Sequence, residues 1–263
     1  MTSLQSKLRT LQNTTANAAV IGRLALAMLG ADGARKYLVV FHNLAEPRAI
    51  GGILGSFAVL DVVNGKITIV DQGSGSRDLG TFEPAIPTPA ELPKNLYGIL
   101  PGRYPADVNL ALNFPLEAQL ISTMYTSRRH VHLDGVLALD PVALSYLLVG
   151  AKPIPVGGGV ILTSATITKI LLSEAYARYS RPAEAPARDL FLAAATTRAF
   201  HAVMSAPTDA ASLLPGLKRG VAEHRILLWS ARGAEQQDLT RSELAGASAC
   251  RRRNRTDRGG LSQ

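Results

Sequence analysis

The dipeptide Asn64-Gly65 constrains this chain more than any other feature. It joins two aliphatic, β-branched runs, residues 54–62 and 66–71. A two-residue type I′ turn needs positive φ at both central positions, and asparagine followed by glycine tolerates that conformation best. The pair therefore predicts an antiparallel hairpin, with no helix anywhere in 54–71. A third run, 37–42, is expected in the same sheet. Between the first and second runs lies Asn43-Leu-Ala-Glu46-Pro-Arg48-Ala-Ile-Gly51-Gly52, which sets one acid, one base and two glycines at the mouth of that sheet.

The rest of the chain alternates helix and strand signals. Leu4, Leu8, Leu11, Ile21, Leu24 and Met28 recur at three- and four-residue spacings and predict a helix over 4–29. A Gly/Ser-rich stretch, 72–78, leads into a Pro-rich loop over 83–104, long enough to be either a functional loop or a solvated excursion. A helix follows over 116–127, with Leu116, Leu120, Ile121 and Met124 as its buried face. Residues 135–139 read as a strand, and Asp140-Pro141 as the cap and first residue of a helix reaching about 149. Gly157-Gly-Gly159 turns into a strand, and Thr163 or Ser164 caps a helix to about 179. Pro182 and Pro186 mark a linker, with helices over 189–204 and 208–223, a strand over 224–229 and a short helix over 236–244. Alternating strands and helices with one antiparallel hairpin predict an α/β fold: a mixed β-sheet with helices packed on both faces. The expected organisation is an N-terminal helical region (1–32), a single α/β domain (33–246) and a basic, disordered tail (247–263).

Composition narrows the function. With 47% apolar and 18% charged residues the chain can fill a core. The one cysteine, Cys250, excludes an internal disulfide framework and a cysteine metal site. Half of the +8 net charge comes from five arginines set against one aspartate after Ala249. The body carries no basic stripe interleaved with aromatics, so nucleic acid is not an expected partner. The most apolar early segment, 18–29, contains Arg23 and is too short to span a bilayer. No signal peptide is visible, so a membrane would be reached only through segments outside this chain.

Candidate sites cluster around the hairpin. Gly51, Gly52 and Gly55 precede a strand, so they are no dinucleotide fingerprint; they either let backbone amides approach a phosphate or form a bulge. Glu46 and Arg48 share a face in an extended segment. They form either a local ion pair or a clamp in which Glu46 orients Arg48 toward an anion, the guanidinium fork matching phosphate or carboxylate. His130, His132 and Asp134 alternate in the same way but lack a further metal ligand nearby. No Ser–His–Asp motif is present.

The run from Tyr37 to Gly52, then Val131-His-Leu-Asp134-Gly-Val-Leu-Ala-Leu-Asp140-Pro-Val-Ala-Leu-Ser, then Arg225-Ile-Leu-Leu-Trp229-Ser resemble, in order, a bacterial domain-of-unknown-function family (DUF, number four thousand and twelve). The likeness covers roughly residues 20–246. It departs at Asn113-Phe-Pro115, where that family usually carries Asp-Phe-Pro. Its members are typically longer and membrane-anchored, which implies an extracytoplasmic piece of a larger cell-envelope protein. The layout also looks like the LytR-CpsA-Psr phosphotransferases, which attach lipid-carried glycans to the bacterial cell wall. Arg48 precedes the hairpin as their first arginine does, Ser76-Arg77-Asp78 follows it, and residues 135–140 match a later strand ending in an acid. The aspartate that closely follows the first arginine there is replaced here by Gly51-Gly52.

That second likeness implies a ligand such as a polyprenyl-pyrophosphate glycan or a similar anionic envelope molecule, with phosphoryl transfer as its chemistry. Arg48 and Arg77 would hold the pyrophosphate with Glu46, Gly51 and Gly52 around it. Asp78 would be the catalytic acid, holding a divalent ion such as magnesium. Val39, Phe41, Phe57 and Val59 would line an apolar channel for the prenyl tail. The alternative is a non-catalytic structural or interaction module of a membrane-anchored envelope protein.

Overall fold

The computed structural model describes residues 26–110, 113–205 and 210–246. Most of the expected first helix and the whole basic tail fall outside the described residues; Leu26 to Met28 are helical.

The hairpin is present and extended. Strand β1 (Arg35–Pro47) pairs antiparallel with β2 (Gly52–Val63), and β2 pairs antiparallel with β3 (Lys66–Ser74). Asn64 and Gly65 adopt φ of 48° and 77°, as the turn requires. The polar stretch after the hairpin is less irregular than expected: β3 continues to Ser74, and Gly75–Leu79 forms one π-turn.

The Pro-rich excursion is packed down. Phe82 and Leu92 are buried, and the amides of Phe82 and Ile86 donate to the carbonyls of Arg103 and Gly102. Short helices Lys94–Tyr97 and Leu100–Arg103 lie within it, and a 3-10 segment, Pro105–Leu110, follows. Helix α1 (Phe114–Arg129) then leads to β4 (Gly135–Leu139), which pairs parallel with β1. Asp140 caps α2 (Pro141–Leu147): its carboxylate accepts the Ala143 amide at 2.7 Å, and Pro141 fills the first turn.

A two-stranded ribbon, β5 (Ile154–Gly157) and β6 (Val160–Leu162), precedes α3. This helix runs from Ile167–Lys169 through a π-turn, Ile170–Glu174, to Ala175–Arg178. Pro182 and Pro186 do not mark a linker. Pro182–Glu184 is a 3-10 turn that runs into α4 (Ala185–Ser205), with Pro186 in the first turn, where a missing N–H costs no hydrogen bond. Helix α5 (Ala210–Ala222), strand β7 (Ile226–Ser230), paired antiparallel with β4, and helix α6 (Gly233–Leu239) follow.

The main sheet has five strands in the order β3-β2-β1-β4-β7, with parallel and antiparallel pairs. It is an α/β fold with helices on both faces. Strand alternation sorts the core. Val39, Phe41, Ala58 and Leu60 pack toward α2, α3 and α4. Leu38, Val40, Phe57 and Val59 pack toward α1. Phe57 and Val59 therefore cannot share one channel with Val39 and Phe41, because they face the opposite layer.

Candidate functional site

A pocket of about 280 Å³ opens at the carboxyl ends of β1 and β4. This is the edge of an open α/β sheet where ligands commonly bind, because strand ends and the following loops leave a crevice there. Its apolar wall includes Phe41, Leu54, Leu144, Leu171 and Leu192. His42, Asn43, Glu46, Ser74, Asp140 and Arg188 supply polar groups.

The polar rim is built by three elements. Asn43 and Glu46 come from the end of β1, Tyr176 from α3 and Arg188 from α4. Tyr176 donates its hydroxyl proton to Glu46 Oε1 at 3.0 Å and accepts from Asn43 Nδ2 at 2.7 Å. Burial and the Glu46 carboxylate push the Tyr176 hydroxyl up to about 12, so it stays a donor at ordinary pH. The Arg188 guanidinium stacks over the Tyr176 ring at 4.6 Å. It lies 3.8 Å from Glu46 and 3.3 Å from Asp189, and its Nε is buried without a hydrogen-bond partner.

Behind this rim sits a buried pair. His42 Nε2 lies 2.5 Å from Glu117 Oε1, and Glu117 is fully buried on α1. Burial alone pushes the imidazole pKa down, but the charge of Glu117, its hydrogen bond and Asp140 hold it above the ordinary histidine value. Asp140 is itself held by Arg225 at 2.8 Å.

Of the residues predicted from sequence, Glu46 and, from the expected apolar channel, Phe41 line this pocket. Glu46 does not orient Arg48: it faces Tyr176 and Arg188. Arg48 sits in the turn between β1 and β2, 3.9 Å from Asp107, and donates to the Pro47 carbonyl. Burial raises the Asp107 carboxyl and Arg48 opposes that rise. Arg77 is half-exposed and pairs with its neighbour Asp78 at 3.1 Å. Asp78 Oδ2 also accepts the Ser74 amide at 2.6 Å. Burial pushes the Asp78 carboxyl up, but these hydrogen bonds leave it below the usual value. The carboxylate thus closes the π-turn back onto β3; among the described residues no three His, Cys, Asp or Glu side chains gather around a metal position. Arg48, Arg77 and Asp78 flank the pocket through their neighbours, since Ala106 and Ser76 line it, but they do not converge in it.

The glycines form the bulged end of the hairpin. Gly51 has φ of 71° in the tip, and the β1–β2 register shifts between Asn43 and Pro47. A Cβ on Gly52 would lie 1.9 Å from the Asn43 carbonyl oxygen, so the two backbones touch where only glycine fits. His130, His132 and Asp134 do not converge either. His130 is the left-handed C-cap of α1, His132 is exposed, and Asp134 pairs with Arg35 and Arg232.

Sequence reasoning missed His42, Glu117, Tyr176 and Arg188. A signal existed for one: Glu117 falls on the same stripe as Leu120, Ile121 and Met124, where a carboxylate requires a buried partner.

The family model described as "Protein of unknown function (DUF4012)" matches residues 32–176, which contain both sides of the hairpin and most of the pocket. No curated protein matches the chain. Among solved structures, the chain is similar to protein gbs0355 from Streptococcus agalactiae, with 10% identity, 83% of this chain and 76% of that one covered, and a TM-score of 0.46. It is also similar to a protein from Bacillus subtilis titled transcriptional regulator yvhJ, with 11% identity, 78% and 77% covered, and a TM-score of 0.38. A third, titled transcriptional regulator and from Enterococcus faecalis, has 14% identity, 83% and 74% covered, and a TM-score of 0.40.

Proposed function

We propose, for a chain that belongs to the DUF4012 family of proteins of unknown function, a role as a cell-envelope domain that binds an amphiphilic anion. The class we favour is a prenyl pyrophosphate, such as the carrier end of a polyprenyl-linked glycan, with phosphoryl transfer from it as the accompanying chemistry. One observation carries this reading: an apolar wall at a sheet's carboxyl edge meets a guanidinium, Arg188, whose Nε is buried and unpartnered. A buried donor without an acceptor is costly, and an anionic oxygen would satisfy it. The volume sits near the low end of the roughly 300–1,000 Å³ usual for small-molecule sites. It therefore suits the head group and the first part of a prenyl chain, with the remainder running outside.

The extracytoplasmic setting rests on the LytR-CpsA-Psr likeness and on the family's typical membrane anchor. Among the described residues no helix is long and apolar enough to cross a membrane. The second reading, a non-catalytic interaction module, is favoured by the local pairing of Arg48 and Arg77 outside the pocket.

The test is calorimetric titration of the whole chain with farnesyl pyrophosphate, with and without magnesium. Saturable binding is expected, and Arg188→Ala should weaken it by about tenfold or more, as loss of a charge-assisted hydrogen bond does. Arg188→Lys should weaken it too, because an ammonium lacks the planar fork. No saturable binding, or equal binding by all three proteins, refutes the reading.

A further inference from the structure

The pocket holds one arrangement that ligand binding does not use. Adjacent strand residues normally face opposite sides of a sheet. Phe41 packs toward α2, α3 and α4 while His42 turns its imidazole toward Glu117 on α1, and both border the pocket because it lies where β1 nears its end. His42 Nε2 is held at 2.5 Å by Glu117 Oε1. Its Nδ1 makes no hydrogen bond among the described residues and lies beside Gly51. A Cβ at Gly51 would come within 2.9 Å of Nδ1, so the glycine keeps that nitrogen approachable.

We propose that His42 and Glu117 form a proton-transfer dyad in the pocket wall, with His42 Nδ1 as the base that activates a hydroxyl for attack on a bound pyrophosphate. This rests on the ligand reading above and adds a catalytic residue, His42, and a positioning residue, Glu117. With Glu117 ionised, Nε2 carries the proton and donates it to the carboxylate, which leaves the lone pair on Nδ1. The hydroxyl proton passes to Nδ1 as its oxygen bonds to the terminal phosphorus. The bridging P–O bond breaks, and its electron pair leaves on the prenyl monophosphate. Glu117 then faces an imidazolium, the same logic by which a carboxylate orients the histidine of a hydrolytic triad. Arg188, which also lines the pocket, would stabilise charge on the phosphoryl oxygens.

A purely structural role explains the pair poorly. Glu117 Oε2 is buried with no hydrogen-bond partner, and burying a charged pair commonly destabilises a fold relative to apolar side chains. The charged and titratable groups that bear on His42 are Glu117 from α1 and Asp140 from the end of β4; Glu46, Arg188 and Asp189 line the same pocket. The raised imidazole pKa suits a base working near neutral pH.

The experiment uses the whole chain, farnesyl pyrophosphate as the probe and water as the hydroxyl. Farnesyl monophosphate is read by mass spectrometry, with binding and folding followed by calorimetry and circular dichroism. The parent should form farnesyl monophosphate at a rate that rises with pH through the His42 pKa. His42→Gln should lower the rate by about 100-fold or more with binding retained. Glu117→Gln should lower it about tenfold or more and move the acid limb to lower pH, because the charge that raises the imidazole pKa is gone. Binding by the parent without product overturns the dyad alone, as does an unchanged rate in His42→Gln. Absence of binding by the parent overturns the ligand reading and the dyad with it. Should both variants fail to fold, ¹⁵N-histidine spectra of the parent decide. The neutral tautomer protonated at Nε2, with an Nδ1 signal that moves on adding the probe, supports the dyad; protonation at Nδ1, or an unmoved signal, overturns it.

Discussion

Strand β1 carries a buried ion cluster at each end, and the two differ in what they leave open. At its start, the Arg35 side chain is 2% exposed. Its Nε donates to the Ala27 carbonyl at 3.2 Å, one terminal nitrogen donates to Glu235 at 3.1 Å, and the other lies 3.5 Å from Asp134. Asp134 in turn accepts the Lys36 amide at 2.9 Å and Arg232 at 2.9 Å. The pocket at the far end of the strand does not reach this cluster. The cluster ties β1, β4 and α6 together through ion pairs, although Arg35 Nη1 and the nearby Tyr37 hydroxyl are buried without a hydrogen-bond partner. At the far end of the strand, His42 and Glu117 satisfy one nitrogen and one oxygen, and His42 faces a cavity. A cluster of ion pairs away from that cavity holds strands and helix together; a pair whose histidine borders a pocket is placed to meet a ligand.

The largest effect should come from breaking the closed end. Asp134→Ala takes one of two carboxylates from the buried Arg35, removes the partner of Arg232 and frees the Lys36 amide, and should destabilise by about 3 kcal/mol, lowering the melting temperature by roughly 6–12 °C. Replacing the open pair together, His42→Leu with Glu117→Met, should leave stability unchanged or raise it by about 1 kcal/mol, since a buried ion pair exchanged for apolar volume is often neutral or favourable. Urea unfolding of both proteins checks the contrast. Comparable losses in the two would show that both ends are structural.

A smaller, sharper difference lies in pH. Burial pushes the Asp134 carboxyl up, but the Lys36 amide and Arg232 pull it below its ordinary 3.8. A lowered folded-state value means that Asp134 stabilises the fold above about pH 4 and that this stabilisation fades as pH falls through the folded value. His42 has the opposite sign. Its raised value means that stabilisation is complete below the unfolded pKa of about 6.5 and fades as pH rises through the folded one. Stability measured against pH should therefore lose its acid slope in Asp134→Asn and its neutral-to-alkaline slope in His42→Gln. An unchanged slope in either variant assigns that end of β1 no net linkage.

Asn64-Gly65 and Asp140-Pro141 act through local backbone rules, so the hairpin and the α2 cap were legible from adjacent residues. Of the charged residues singled out around the mouth of the sheet, Glu46 lines the pocket and Arg48 and Arg77 lie outside it. Arg48 and Arg77 lie close in sequence to the hairpin, whereas Arg188 arrives from α4, behind two prolines that look like a linker and instead open a helix. Tyr176 joins Asn43 and Glu46 across more than a hundred residues. Such pairings follow from how α3 and α4 pack over β1, and no local pattern encodes that.

The smallest expected effect belongs to Arg77→Ala, and it bears on which arginine serves the pocket. The Arg77 side chain is 54% exposed and its partner is the adjacent residue, Asp78. Exposed ion pairs contribute about 0–1 kcal/mol and are screened by salt, so the change in stability should stay below about 0.5 kcal/mol. Asp78 keeps its bond from the Ser74 amide without Arg77. Room for that bond comes from Gly73, where a Cβ would lie 2.7 Å from Asp78 Oδ2. The π-turn should survive, and affinity for farnesyl pyrophosphate should match the parent while Arg188→Ala loses it. Urea midpoints and calorimetry on the two variants side by side provide the check. A loss of affinity in Arg77→Ala as large as that in Arg188→Ala would bring Arg77 into the ligand's reach and move the anion from the α4 side of the pocket toward the end of β3.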